Sequence, residues 1–234
     1  MRPSAWLLLA LLPAMGHAQG LTVSPITVRV PASEPQASVR VANHGQAPWP
    51  AEAHLYVWRQ EDDADHLEPA DDLALSPSRF DIAPGGEQRL RVVRLGAPPA
   101  REERAYRLVI EQRRGDAPAS PALLRYSAPV FVLPDDTLPS RPVLVAEVVA
   151  DAAGERLRVR NPGPLHARLA DLAFVDATGH RQALYADLAG YVLPGQARSW
   201  ALPTRAGGYA GGRFLARLNA LGEAELAPPA PASP

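Results

Sequence analysis

The sequence predicts an all-β protein built as two β-sandwich domains, and three observations carry that prediction. Short apolar runs recur along the chain, bounded by Pro, Gly and Asn, which is the pattern of strands joined by tight turns. No stretch keeps an amphipathic helical period over three turns. A proline-rich break, residues 134–142, divides the runs into two groups, as an exposed linker between domains does.

The first group of predicted strands is Leu21–Val30, Ala37–Ala42, Ala51–Arg59, Gln88–Leu95, Ala105–Gln112 and Ala122–Leu133. The second is Val143–Val149, Arg156–Arg160, Arg168–Val175, Gln196–Ala201 and Gly212–Leu218. Asn43-His44-Gly45, Pro84-Gly85-Gly86, Asn161-Pro162-Gly163 and Ala177-Thr178-Gly179 fall between them, where Gly and Asn supply positive φ. The expected organisation is a signal peptide over 1–18, an N-terminal domain over 19–135, a C-terminal domain over 136–226 and a disordered Pro/Ala tail over 227–234.

The signal peptide reading rests on Arg2, an apolar stretch from Trp6 to Leu12, and small Gly16 and Ala18 at positions −3 and −1 of a cleavage after Ala18. That stretch is too short to span a bilayer, and no later run approaches membrane-spanning length. The expectation is an exported protein of the periplasm with no direct membrane insertion. The remaining 216 residues (234 − 18) hold no cysteine. Zinc–thiolate sites, redox pairs and cysteine nucleophiles are therefore excluded.

A net charge of −1 gives no pointer to nucleic acid. All 24 basic residues are arginine, so any cation doing work is a guanidinium, which forks onto carboxylates. The six histidines show no metal-ligand spacing, and there is no Gly-x-Ser-x-Gly elbow, phosphate loop or dinucleotide fingerprint. No enzyme activity and no cofactor are expected. The acidic run Glu61-Asp62-Asp63-Ala64-Asp65 lacks a twelve-residue calcium loop with its glycine and reads as a solvated hairpin tip. Arg101-Glu102-Glu103-Arg104 reads as a solvated loop, and Gly207 to Gly212 as a flexible hairpin.

Leu123 to Val132 is the most distinctive stretch. Leu124, Tyr126, Ala128, Val130 and Val132 form an apolar row at period two, and so share one face of a strand. Such a row either packs inside its own sandwich or, if the strand edge is open, is lent to a partner by strand addition. The pattern alone leaves both readings standing.

Several segments together resemble the periplasmic pilus-assembly chaperones of the PapD-like family, nearest its archaic, or sigma-type, branch. In the first half these are Val23-Ser24-Pro25, Val39 to Asn43, Tyr56 to Gln60, Leu75-Ser76-Pro77 with Ile82 to Gly85, Ala105 to Ile110, and Leu124 to Phe131. In the second half they are Val159 to Gly163, His166 to Leu169, and Gly190 to Gly195. The resemblance implies two immunoglobulin-like domains set at an angle and joined by a short hinge. It implies a client pilin lacking its last strand, stabilised by donor-strand complementation and delivered to an outer-membrane usher. It makes Ala122, Leu124, Tyr126, Ala128 and Val130 the residues that fill the client's groove.

In the family a basic pair grips the client's C-terminal carboxylate, fixing a register that a period-two strand cannot fix alone. Arg107 matches one member of that pair; its other reading is an internal ion pair with Glu111 or Asp135. The second family arginine falls at Thr27 here, a departure. Arg29, two residues on and on the same strand face, is the candidate replacement, against a plain solvent-facing role. An open donor edge also makes self-association an expectation. The alternative from another class is a secreted immunoglobulin-like adhesive or structural module, which would need neither donor edge nor cleft cation.

Overall fold

The computed structural model describes residues 20–113, 124–134, 142–152 and 154–229. Seventeen strands, and no helix among the described residues, build two pairs of sheets. The first pair uses β1 (Leu21–Ser24), β2 (Val28–Val30), β3 (Gln36–Asn43), β4 (Trp49–Glu61), β5 (Ala64–Pro69), β6 (Leu73–Ser76), β7 (Arg79–Ile82), β8 (Glu87–Arg94), β9 (Arg104–Gln112) and β10 (Arg125–Val132). One sheet runs β1-β3-β8-β6; the other runs β2-β10-β9-β4-β5, with β7 on β4. Val39, Val41, Leu90 and Val92 from the first sheet meet Val28, Leu108, Ile110 and Val130 from the second in one core.

The second pair uses β11 (Val145–Asp151), β12 (Gly154–Arg160), β13 (Ala167–Val175), β14 (Arg181–Val192), β15 (Ala197–Ala201), β16 (Arg213–Leu218) and β17 (Glu223–Glu225). Its sheets run β11-β12-β15 and β14-β13-β16-β17, around a core of Leu157, Val159, Leu169, Leu172, Phe174 and Trp200. The predicted signal peptide, residues 135–141 of the linker, and positions 230–234 of the tail lie outside the described residues.

The predicted run Leu21–Val30 is two strands. Its first half pairs β3 and its second half pairs β10, with Pro25 between them. A proline, which cannot donate to a ladder, sits where the chain changes sheets. The long edge strand β14 was not predicted, because irregularities break its alternation. Pairing with β13 slips at several points, with Asp171, Asp187 and Gly190 at positive φ. Before β16, Gly212 is confined: a Cβ there would lie 2.1 Å from the Phe174 ring.

Two further expectations are corrected at the junction between the two halves. The acidic run is not a free tip: Asp63 accepts from Arg156 at 3.0 Å and from the Ser199 amide at 2.7 Å, and Asp65 accepts from Arg198 at 2.6 Å. Glu103 is not a solvated loop residue but is 3% exposed, against an equally buried His166. One oxygen of the buried Glu103 carboxylate is met by donors from His166, which offsets part of what burial costs it.

Candidate functional site

The candidate site is assembled on β10 and the strands flanking it. β9 pairs β10 along its whole length, Arg125 to Val132. On the other side β2 pairs only Val130, Phe131 and Val132. From Arg125 to Pro129, therefore, one edge of β10 has no strand beside it among the described residues. Pro129, with no N–H to offer, stands where pairing with β2 ends.

Exposure follows this division. Arg125, Tyr126 and Ser127 are exposed, whereas every residue from Ala128 to Val132 is buried. Leu124 is half-buried, and Tyr126 retains 39% of its exposure. Ala122 lies outside the described residues. Val130, like Val132, is placed differently from the earlier part of the predicted row: it is fully buried in the first core and flanked by strands on both sides. Its side chain is committed internally, so the outward-available part of the row is Leu124 and Tyr126, with Ala128 at its inner end.

Arg107 is the register partner of Pro129 and Arg29 that of Phe131. Register neighbours share a sheet face, so both arginines lie on the face away from the first core, on either side of β10. Strand spacing and rise place their Cα atoms about 12 Å apart, within converging reach of two guanidinium side chains. Arg29 is exposed, and Thr27 occupies the bend just before β2.

The guanidinium of Arg107 stacks 3.6 Å above the Trp58 ring and 5.7 Å from Tyr191. Among the described residues its acidic neighbour is not Glu111 but Asp65. Glu111 pairs with Arg125 at 2.9 Å, and Asp135 is outside the described residues. Asp65 lies 4.0 Å from Arg107 but only 2.6 Å from Arg198. Burial lowers the Arg107 pKa, opposed by Asp65 and Tyr191 and reinforced by Arg198. For Asp65, burial would raise the carboxyl. Bonds from Trp58 and Gln60 and the charges of Arg198 and Arg107 together hold it below the usual range. Arg107 is thus a half-shielded cation whose carboxylate neighbour is mainly engaged elsewhere.

The floor beneath it joins the two halves of the molecule. Trp58, Ala105, Phe131 and Leu193 form one buried cluster with Leu133 and Tyr191 against it. The His166 ring stacks on Phe131 at 3.6 Å. One Glu103 carboxylate oxygen bonds both the His166 ring Nδ1, at 2.7 Å, and the His166 amide. Gln60 accepts from the Leu193 amide and donates to the Tyr191 carbonyl, while the Gln60 amide donates to Gln196. Sequence reasoning gave these residues no part in a contact between the two halves. The available signal was period two: Tyr56, Trp58 and Gln60 share a face of one strand, and Gln60 is a polar residue ending an apolar row.

Residues 20–137, half of the chain, match the family model for the pili and flagellar-assembly chaperone PapD N-terminal domain. The chain belongs to this chaperone family. Solved structures agree in fold across both halves. The CsuC–CsuE chaperone–tip adhesion subunit pre-assembly complex, from archaic chaperone–usher Csu pili of Acinetobacter baumannii, matches with a TM-score of 0.72. Its identity is 20%, covering 90% of this chain and 100% of that one. The E. coli chaperone DraB matches with TM-score 0.62 and 17% identity, over 90% and 97% of the two chains. The Salmonella enterica SafA pilin in complex with the SafB chaperone gives TM-score 0.62 and 17% identity, over 88% and 94%. No curated protein matches by sequence. The two halves of this chaperone are therefore two immunoglobulin-like domains, and the rival assignment as an adhesive or structural module is set aside.

Proposed function

We propose that this chaperone works in the periplasm, after loss of residues 1–18, by lending the open half of β10 to a pilin that lacks a strand. The reading is carried by one observation. β10 is held along one edge by β9 and left unpaired along the other from Arg125 to Pro129, with Arg107 on the adjoining strand.

A client strand laid on that edge completes a backbone ladder. Leu124, Tyr126 and the Ala128 end of the row then enter its groove, with Ala122 continuing the row outside the described residues. Each large apolar side chain buried in this way gives about 1.5–3 kcal/mol. Arg107 takes the client's C-terminal carboxylate in a fork geometry and so fixes the register. Arg29, across β10 on the same face, is the second cation in place of the family arginine that is absent at Thr27. The task is binding and hand-over to an outer-membrane usher, with no chemical step.

Periplasmic co-expression with the pilin-like protein encoded nearest to this chain tests the reading. The wild-type chain should yield a one-to-one complex, and Arg107→Ala should lose it while keeping a cooperative thermal unfolding transition. A wild-type yield of complex from Arg107→Ala sinks the anchor role. Leu124→Asp and Tyr126→Asp should weaken capture more than Arg125→Asp, because Arg125 points to the opposite face and pairs with Glu111. Equal losses from all three sink the donor-face assignment.

A further inference from the structure

A second charged surface lies on the other domain. Arg156, Arg158 and Arg160 alternate along β12, so all three project from the outer face of the β11-β12-β15 sheet, opposite buried Leu157 and Val159. Only Arg156 is engaged, by Asp63 at 3.0 Å and Asp151 at 3.9 Å. Arg158 and Arg160 make no ion pair and no side-chain hydrogen bond among the described residues. Both line a cleft of about 730 Å³ between the domains, within the size range of natural binding clefts. Beside them in register, β15 presents Ala197 and Ser199 and β11 presents Val145 and Glu147; Glu147 makes no ion pair with Arg158 among the described residues. The opposite wall carries Glu61 and Asp62 from the β4–β5 turn.

We propose that Arg158 and Arg160 form a docking site for an extended polypeptide segment bearing carboxylates at alternate positions. The reasoning is one of matched repeats. Successive outward side chains on a strand recur about every 6.6 Å, and an extended peptide laid along β12 presents every second side chain at that same interval. Two guanidinium forks then meet two carboxylates, each pair charge-assisted and bidentate in geometry. β12 is hydrogen-bonded on both sides, so the segment is held by side chains on the sheet face, not by strand addition. Glu61 and Asp62 repel carboxylates from the far wall, which confines the acidic face of the segment to the arginine side. This site is independent of the open edge of β10 and of Arg107.

The test is fluorescence anisotropy of the purified chain with labelled Glu-Thr-Glu-Thr-Glu-Thr-Glu. Glu-Glu-Thr-Thr-Thr-Glu-Glu, with the same four carboxylates and no two at alternate positions, serves as the spacing control, at low and at physiological salt. Arg158→Glu with Arg160→Glu should weaken the alternating peptide by about tenfold or more. Arg89→Glu with Arg91→Glu, the same charge change on the first domain, should leave binding within about twofold. The spacing control should bind more weakly than the alternating peptide. Equal losses from both double variants, or equal binding of both peptides, overturn the site in favour of the general field of the protein. Absence of peptide binding overturns it outright. Binding of anionic phospholipid vesicles, or a monomer–dimer shift that depends on the two arginines without peptide binding, replaces the proposed occupant with a lipid surface or a second copy.

Discussion

The two domains carry the same asparagine staple 118 residues apart, and they use it differently. In the first, Asn43 donates from its side chain to the carbonyls of Ala47 and Ile82, and its Oδ1 accepts from the Gly45 amide. In the second, Asn161 donates to Leu165 and Val192, and its Oδ1 accepts from the Gly163 amide. The main chain repeats too: Asn43 exchanges bonds with Gly85 and Gly86, and Asn161 with Gly195 and Gln196. Each staple closes one end of a sandwich by satisfying backbone groups that burial would otherwise leave bare.

The surroundings differ. Beside Asn43 the neighbouring turn meets solvent, with His44 bonding exposed Thr22. Beside Asn161 the same turn is where the first domain docks: Pro164 accepts from the Glu103 amide, His166 meets the Glu103 carboxylate, and Gln196 accepts from the Gln60 amide. A turn already rigid for the sake of its own sandwich makes a firm seat for a partner domain. One local solution to a folding problem thus serves packing in the first domain and assembly in the second.

The comparison breaks most visibly at its docking contact. His166→Ala leaves the buried Glu103 carboxylate only the backbone amide of residue 166, removes the ring stacked on Phe131, and should cost about 3–5 kcal/mol in denaturant unfolding. Glu103→Ala added to it should recover part of that loss. If the double variant is as unstable as the sum of the two single ones, the contact is not a coupled pair. Asn161→Ala and Asn43→Ala should each cost about 1–3 kcal/mol, since each leaves buried carbonyls without a donor. Double-mutant cycles separate the two roles. Asn161→Ala should couple with Gln60→Ala by more than about 0.5 kcal/mol, whereas Asn43→Ala should add to it within that margin. Coupling of the same size for both asparagines would erase the distinction. The smallest effect concerns acid. The lowered Asp65 pKa means its pairing with Arg198 stabilises above the ordinary carboxyl value of 3.8 and is lost as pH falls through the folded value below it. Interdomain contact read by Trp58 fluorescence should loosen in that window, and less so in Asp65→Asn.

Much of the fold was legible because its signals are local. Period-two rows and Asn-x-Gly turns mark strands and the bends between them wherever the row stays in phase, as in β3, β8 and β12. Legibility failed where phase was broken or burial was one-sided. β14 slips register at its bulges, and β5 is exposed along its length, so neither shows an apolar rhythm. The candidate site divides in the same way. The ridge on β10 and Arg107 stand out in sequence. That Val130 belongs to its own core, that Asp65 is the acid near Arg107, and that Glu103 and the acidic turn bind the other domain all depend on pairs more than 40 residues apart in sequence. Nothing in the spacing of residues along the chain encodes such pairs.

The half-paired state of β10 bears on the speed of capture. Backbone ordering costs about 1–2 kcal/mol per residue, and a recognition segment that folds on binding meets that cost during each encounter. With β9 already fixing the dihedral angles of β10, the ordering is completed when the chaperone itself folds. An incoming chain therefore meets a template, and only the client's own disorder remains to be lost.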